Sequence, residues 1–481
     1  MNLVDTIVGL LWSKALVVIL LCGGLYFTIG SRFVQFRSIK EMARLVVDRK
    51  KEETGISSLQ ALTMSLAARV GTGNIAGVAT AIFFGGPGSI FWMWCLGLVG
   101  AAASYVECTL AQVYKEEQDG EYRGGPAYYI EKYTGIKTWA VLFAICMVYA
   151  EGVGSPWVQS NVISAGIEHA FGISPILTGS LLTILVGIII FGGVKRIAKV
   201  AELLVPFMAI AYIIISIVVI AFNISALPGT IALIFKSAFG AQQAFGGILG
   251  MAISWGVKRG LYSNEAGMGT QAQAAAAAEI SHPAKQGLVQ AFAIYIDTLL
   301  ICTSTAFMIL IAGTYNVVGT NGEFIVNNAP NVEMGPVYTQ MAIDTVIPGF
   351  GSAFVAIVLL FFAFTTIIAN YYAGETNAAY LKNKIGINLI LLLRILTVAV
   401  TFYGALKSAN LAWGMADIGI GLVTWLNIIA ILLLSKIAFK VQKDYEEQKA
   451  TGADPIFDPI KLGIKNCDEW IKIKKRYLNN R

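Results

Sequence analysis

The chain has 481 residues, 56% of them apolar or aromatic and only 13% charged, about half the charged fraction of an ordinary soluble domain. So few charges cannot cover the surface of a soluble protein of this length, and the same figures exclude disorder. The net charge of +6 is carried by short basic clusters between apolar runs, a pattern that sets membrane topology and offers no nucleic-acid face.

A bilayer core about 30 Å thick asks for about 20 apolar residues per helix. Such runs occur near 11–30, 57–84, 89–113, 138–168, 174–193, 200–222, 242–257, 287–313, 350–373, 387–406 and 410–436. The expectation is an all-α integral membrane protein of about eleven transmembrane helices. The first run is read as a helix, because Phe27-Thr28-Ile29-Gly30 before Ser31-Arg32 offers no small-residue cleavage site.

The connections orient these helices. Arg32, Arg37, Lys40, Arg44, Arg49, Lys50 and Lys51 follow the first. Further basic connections run from Lys115 to Lys137, Lys195 to Lys199, Lys258 to Lys285 and Lys382 to Lys384, and the tail is basic from Lys436. The connection from Thr314 to Pro348 holds Glu323, Glu333 and Asp344 and no Lys or Arg. A multi-pass cell-membrane protein follows, with its amino terminus outside and its carboxyl terminus in the cytoplasm.

Without the first helix, ten remain and divide into two groups of five, which must run in opposite directions through the membrane. The expected units are 1–56 (an extra helix and basic segment), 57–222 and 223–436 (inverted repeats), and 437–481 (a cytoplasmic tail). The first helix of each repeat carries a glycine-rich interruption: Gly71, Thr72, Gly73 and Asn74 in one, Phe245, Gly246, Gly247 and Gly250 in the other. Paired interruptions of this kind mark transporter binding sites, although glycines also let membrane helices approach closely.

An unwound helix leaves backbone groups that need partners. The half-helix beginning at Thr72 and Gly73 presents N–H groups and a positive dipole end, suited to a carboxylate. The half-helix ending at Ala67 to Val70 presents carbonyls, suited to sodium or an ammonium group. Gln159-Ser160-Asn161 lies deep in the fourth span, where amides hold substrate or bond neighbouring helices. Thr365 and Thr366 either supply sodium ligands or bond back to their own helix.

Arg69, Glu107, Glu151, Asp297, Arg394 and Asp417 fall within or at the ends of spans, where charge is paired or functional. Arg69 is a candidate to pair with one of the acids in a gate, and Glu151 and Asp417 are candidates to carry protons. The six cysteines show no paired spacing and His169 lies far from His282, so no zinc or haem site assembles and no organic cofactor is expected. No HExxH pattern or hydrolytic constellation appears, which argues against an enzyme.

Three stretches carry a family likeness. They are Val70-Gly71-Thr72-Gly73-Asn74-Ile75-Ala76-Gly77, the run from Gly85-Gly86-Pro87-Gly88 through Trp94, and Lys258-Arg259-Gly260-Leu261-Tyr262-Ser263-Asn264-Glu265-Ala266-Gly267-Met268-Gly269. With them the chain resembles the alanine or glycine:cation symporter family of the amino acid-polyamine-organocation superfamily. The likeness implies the five-plus-five inverted repeat of the sodium-coupled leucine transporter, preceded by one extra helix.

It also implies roles. Thr72 and Gly73 N–H groups would take a substrate carboxylate, with Asn74 beside it. The Ala67 and Val70 carbonyls with the Thr365 and Thr366 hydroxyls would hold sodium. Phe245 to Gly250 would line the second interruption, and Gln159 and Asn161 match a Gln-x-Asn pattern near the substrate. The Asn264-Glu265-Ala266-Gly267 segment would shape a loop at the cytoplasmic side, with a second break there as the alternative. Where many members read Gly-Trp-x-Tyr-Tyr-Gly-Glu, this chain reads Ala369-Asn370-Tyr371-Tyr372-Ala373-Gly374-Glu375. Asn370 in place of an indole removes apolar volume and adds an amide, which brings glutamine into consideration beside alanine and glycine.

The expected function is sodium-coupled symport of a small neutral amino acid (alanine, glycine, glutamine or serine) by alternating access, with the bilayer as its medium and a monomer as the working unit. Proton coupling is the alternative, and an amino-acid sensor or an ion channel is a more distant one.

Overall fold

The computed structural model describes residues 3–47, 55–241, 243–407 and 409–479. The basic residues Arg49, Lys50 and Lys51 of the topology argument lie outside them. The described chain is almost wholly helical, with two short antiparallel hairpins, Glu116–Gln118 with Glu121–Arg123 and Asn316–Val318 with Phe324–Asn327.

Its outer helices are inside-out relative to a soluble protein. On Gly193–Phe222, the side chains of Leu203, Phe207, Ile210, Ile214 and Ile217 recur every three or four residues and are exposed. Pro175–Ile190 does the same with Leu181, Ile184, Leu185 and Ile188. Apolar stripes that face outward are stable against lipid tails, and helices satisfy their own backbone there.

Among the described residues, seven helices are long and apolar enough to cross a membrane: Leu3–Gly30, Gly88–Val113, Lys137–Phe171, Gly193–Phe222, Pro283–Ala312, Gly351–Ile385 and Ala412–Ala450. An eighth span is the pair Ser58–Arg69 and Gly73–Gly85, bent by 50° at its break. Pro175–Ile190, Ile224–Ala238 and Ile390–Leu406 are apolar but shorter.

Length and composition thus do not by themselves yield eleven spans, and the run expected at 242–257 is the clearest departure. The helix there is Leu249–Asn264, and it is not among the apolar spans. Its sides face protein: a Cβ at Gly260 would stand 3.2 Å from the Leu96 side chain, and one at Gly256 would meet the Trp92 side chain at 2.8 Å. A helix enclosed by other helices can carry Lys258 and Arg259 where a lipid-facing one cannot.

On the face carrying the carboxyl-terminal segment, that segment pins the loop before the helix Pro283–Ile294. The Ser281 hydroxyl donates to the Pro455 carbonyl at 2.8 Å, and the Phe457 N–H donates to the Ser281 carbonyl at 2.9 Å. Trp470 is fully buried and its indole N–H donates to the Gln112 carbonyl at 2.7 Å.

His282 caps the same helix. Its Nδ1 accepts the Ala284 N–H at 3.2 Å, which leaves Nε2 to donate to Asp444 Oδ2, also at 3.2 Å. Both bonds use the neutral ring. Burial pushes the imidazole below the ordinary histidine range, with the Asp444 carboxylate pulling the other way. The folded chain therefore takes up this proton at a lower pH than the unfolded chain. The contribution of the neutral ring is complete above about pH 6.5 and is lost progressively as pH falls from there to the folded value. Stability is expected to fall by up to about 1.4 kcal/mol per pH unit in that window. The His282→Asn variant, which keeps a capping acceptor without a titrating group, is expected to lack this slope in melting temperature. An equal slope in wild type and variant would place the pH dependence elsewhere.

Candidate functional site

The first break has a definite geometry. Ser58–Arg69 ends at Val70, whose φ of −78° and ψ of 85° leave the helical region, and its N–H makes the last turn bond to Leu66 O at 2.7 Å. The next two N–H groups go to side chains: Gly71 N–H to Asn74 Oδ1 at 2.9 Å, and Thr72 N–H to Gln159 Oε1 at 3.4 Å. The chain then resumes as a π turn, Gly73–Gly77, before Val78–Gly85. Wide turns of this kind re-aim side chains and recur at functional sites.

The break that meets the first one is not at 245–250, where the chain only turns between the short helix Gln243–Gly246 and Leu249–Asn264. The helix Leu249–Asn264 ends at Glu265, which is left-handed with φ of 54°; Gly267 and Gly269 follow with φ of 87° and 86°. The chain becomes helical again at Gln271–Ala277. Side chains from distant helices hold the break open. Glu107 Oε2 accepts the Gly269 N–H at 3.1 Å and the Asn427 amide at 3.0 Å, and the same amide lies 2.9 Å from the Gly267 carbonyl.

The Asn264-Glu265-Ala266-Gly267 segment, expected to shape a peripheral loop, is thus part of the interruption. Gly246, Gly247 and Gly250 are exposed instead, and Phe245 packs in a separate apolar cluster with Val78 and Ile82. None of the four lines the site described below. Glycines that separate a short leading helix from the next look the same in sequence as glycines that open a binding site.

The two breaks lie against each other. Arg69 Nε donates to the Asn264 carbonyl at 2.8 Å, and the Asn74 amide donates to Ser263 Oγ at 3.1 Å and Asp297 Oδ1 at 2.6 Å. A Cβ at Gly73 would stand 3.1 Å from the Tyr262 ring. Between them is a small cavity of about 10 Å³, the room of about one water molecule.

Its walls include Gly71 and Gly73 from the first break and Tyr262 and Glu265 from the second. Glu151, Ser155 and Gln159 come from the long helix Lys137–Phe171, Thr366 and Asn370 from Gly351–Ile385, and Ile420 from Ala412–Ala450. Glu151 stands on another π turn, Ala150–Gly154.

The remaining expected residues divide as follows. Thr366 Oγ lies 2.9 Å from both the Ala67 carbonyl and the Phe362 carbonyl, so oxygens of two helices meet there. Thr365 turns elsewhere: its hydroxyl bonds the Phe361 and Phe362 carbonyls at 3.0 Å and lies 3.8 Å from the Met208 sulfur. Val70 is buried at the helix end. Asn161 faces away from the cavity, its amide donating to the Gly404 carbonyl at 3.4 Å and to that of Lys407 at 2.5 Å. One residue is about 100° around a helix, so Gln159 lines the cavity and Asn161 does not. Asn370 faces the cavity, with its amide donating to Ser155 Oγ at 2.8 Å.

Among the described residues, Arg69 hydrogen-bonds to no acid. Its three nitrogens go to the carbonyls of Asn264 (2.8 Å) and Gln290 (3.1 Å) and to Ser104 Oγ (3.0 Å). It ties the end of Ser58–Arg69 to three neighbouring helices and forms no ion pair among the described residues, unlike the gate pairing for which it was a candidate. Asp417 pairs with Lys258 at 2.7 Å, outside the cavity. Arg69→Met is expected to destabilise the fold by about 3 kcal/mol or more, because it strands buried acceptors. Lysine in its place should restore little, since an ammonium cannot span three acceptors as a fork. Melting temperatures of the two variants in detergent check this.

Two broken helices crossing at an enclosed polar cavity, inside a bundle with a lipid-suited exterior, define a multi-pass membrane transporter. Residues 1–459 match the profile described as the Sodium:alanine symporter family. The chain is 58% identical over 472 residues to the carrier protein YrbD of Bacillus subtilis (strain 168), covering 98% of each. It is 52% identical over 443 residues to the Sodium/proton-dependent alanine carrier protein of Bacillus sp. (strain PS3), covering 91% of this chain and 98% of that one. It is 46% identical over 463 residues to the Probable sodium/glutamine symporter GlnT of Bacillus subtilis (strain 168), covering 95% and 94%. The crystal structure of MhsT in complex with L-phenylalanine superposes with a TM-score of 0.55 over 88% of this chain and 96% of that chain, at 15% identity, a likeness of fold. The chain belongs to the sodium:alanine symporter family: it is a transporter and not an enzyme.

Proposed function

We propose that the protein imports a small neutral amino acid of the alanine class together with sodium, by alternating access between two inverted repeats spanning 57–222 and 223–436. The observation that carries this reading is the crossing of the two breaks at one cavity. There Thr72 N–H is bonded to a neutral amide oxygen of Gln159. A substrate carboxylate displacing that oxygen makes a stronger, charge-assisted bond at the same helix end. The cavity is too small for an amino acid until its walls part, so loading and helix movement are one event.

Sodium would bind where the oxygens of Ala67, Phe362 and Thr366 converge. An ion there bridges Ser58–Arg69 to Gly351–Ile385 and so stabilises one arrangement of the two helices relative to the other. Such differential affinity is what lets an ion drive a conformational equilibrium. The amino terminus is placed outside and the carboxyl-terminal segment in the cytoplasm, from the basic connections. Relatives named for alanine and for glutamine, together with Asn370 in the wall, support a pocket that accepts either.

Purified protein in liposomes tests this. Labelled alanine and glutamine should accumulate under an inward sodium gradient and not under an equal potassium gradient. Proton coupling is the second reading, favoured by the carboxyl groups of Glu151 and Glu265 in the cavity wall. Accumulation driven by a pH gradient without sodium would establish it and remove the sodium assignment. Binding without accumulation under any gradient would remove transport itself.

A further inference from the structure

We propose that Glu151 reads the α-ammonium group of the substrate, with the Asn370 side-chain oxygen as a second acceptor, so that a free ammonium is an obligatory feature of anything the cavity takes. This rests on the amino-acid reading above and names the half of the zwitterion that the helix end does not recognise.

Glu151 is 1% exposed and lines the cavity, and its Oε2 has no hydrogen-bond partner among the described residues. Asn370 is 3% exposed and lines the same cavity. Its nitrogen is engaged by Ser155, and its Oδ1 has no partner among the described residues. Two buried oxygens at one cavity are therefore unbonded, and both are acceptors.

The neighbouring cation does not meet this demand. Arg69 lines the cavity too, but every guanidinium nitrogen is already directed at Asn264, Gln290 or Ser104. The other carboxylate in the wall, Glu265, is served by the Thr270 hydroxyl at 2.7 Å and by the Gln271 amide. Glu151 differs from it in lacking any such donor. A buried carboxylate oxygen without a donor costs several kcal/mol, and a ligand that supplies N⁺–H bonds relieves that cost on binding.

The cavity also meets groups of opposite chemistry. At the first break the Thr72 N–H bonds the cavity-lining Gln159, and among the described residues the Glu151 and Asn370 oxygens in the wall have no donor. A zwitterion is complementary to both at once. A bare sodium ion satisfies only the acceptors, and a carboxylic acid without an amine satisfies only the donors.

The test is equilibrium binding to the purified full-length protein in detergent, with alanine, L-lactate and propionate as probes. Lactate and propionate replace the ammonium by hydroxyl and by hydrogen. Wild type should bind alanine and discriminate strongly against the other two. In Glu151→Gln, alanine affinity should fall about 10- to 100-fold, the worth of a charge-assisted bond, while lactate binding stays unchanged or improves, so the discrimination collapses. Glu151→Asp keeps the charge and should keep the discrimination at reduced affinity, which covers the case of a glutamine variant that does not fold.

Wild type binding lactate as well as alanine would overturn the proposal without any variant. So would a folded Glu151→Gln with unchanged alanine affinity, or one altered only in its sodium or pH dependence, which would make Glu151 a coupling-cation residue. Because binding is read and not flux, alanine that binds with this selectivity but is not transported would sink the symport reading and leave this assignment standing.

Discussion

Replacing Thr366 by alanine is expected to raise the sodium concentration for half-maximal alanine uptake by about tenfold or more, the loss of about 1.4 kcal/mol or more of ion binding. Replacing Thr365 should change it by less than about twofold. The contrast follows from one turn of geometry. Thr366 Oγ lies 2.9 Å from Ala67 O on the broken helix, whereas Thr365 is occupied with carbonyls of its own helix and the Met208 sulfur. Thr366→Ser, which keeps the oxygen, should retain most of the wild-type sodium dependence. Uptake measured across a sodium series for the three variants decides the matter. A Thr365→Ala variant more impaired than Thr366→Ala would remove the ion from the proposed position.

The second large effect is expected at Gly71. A Cβ there would stand 2.5 Å from Thr366 Oγ and 3.4 Å from Gln159 Oε1. Gly71→Ala therefore pushes the helix Gly351–Ile385 away from the break and moves the amide that holds Thr72. Overpacking of this kind costs about 1–3 kcal/mol, and it falls on the two groups proposed to meet sodium and substrate together. Alanine uptake should drop by at least about tenfold, with apparent affinities for both alanine and sodium weakened. Gly250→Ala is the matched control: no atom of the described residues lies within 4 Å of the added carbon, so uptake should be unchanged. Equal uptake in Gly71→Ala and wild type would show that the approach of Thr366 to the break is not needed for the cycle.

Several features were legible because they depend on local chemistry. The interruption at Gly71 to Asn74 reads as a break because glycines and a short amide interrupt an apolar run. Asn74 supplies the acceptor for the Gly71 N–H within its own turn. Gln159 and Thr366 stood out as an amide and a hydroxyl at depths where such groups need partners, Asn370 stood out as a departure from the family pattern, and all three line the cavity. The second break was legible only as an alternative reading of Asn264 to Gly267. Phe245 to Gly250 has the more glycine-rich text, but the chain leaves the helix at Glu265 to Thr270. What permits it there is Glu107 and Asn427, which are 162 and 160 residues away from the backbone groups they satisfy.

Composition and periodicity by themselves determined that this chain is a helical membrane protein and where most of its apolar segments run, and they pointed to the first break. Each follows from the cost of exposing charge or unpaired backbone to lipid, a cost paid residue by residue. Which of two adjacent threonines meets the broken helix, which amide of Gln159 and Asn161 turns inward, where the second helix parts and what Arg69 holds were decided only by tertiary structure. Those outcomes turn on rotation about a helix axis and on partners supplied by distant segments, and neither is carried by the local order of residues.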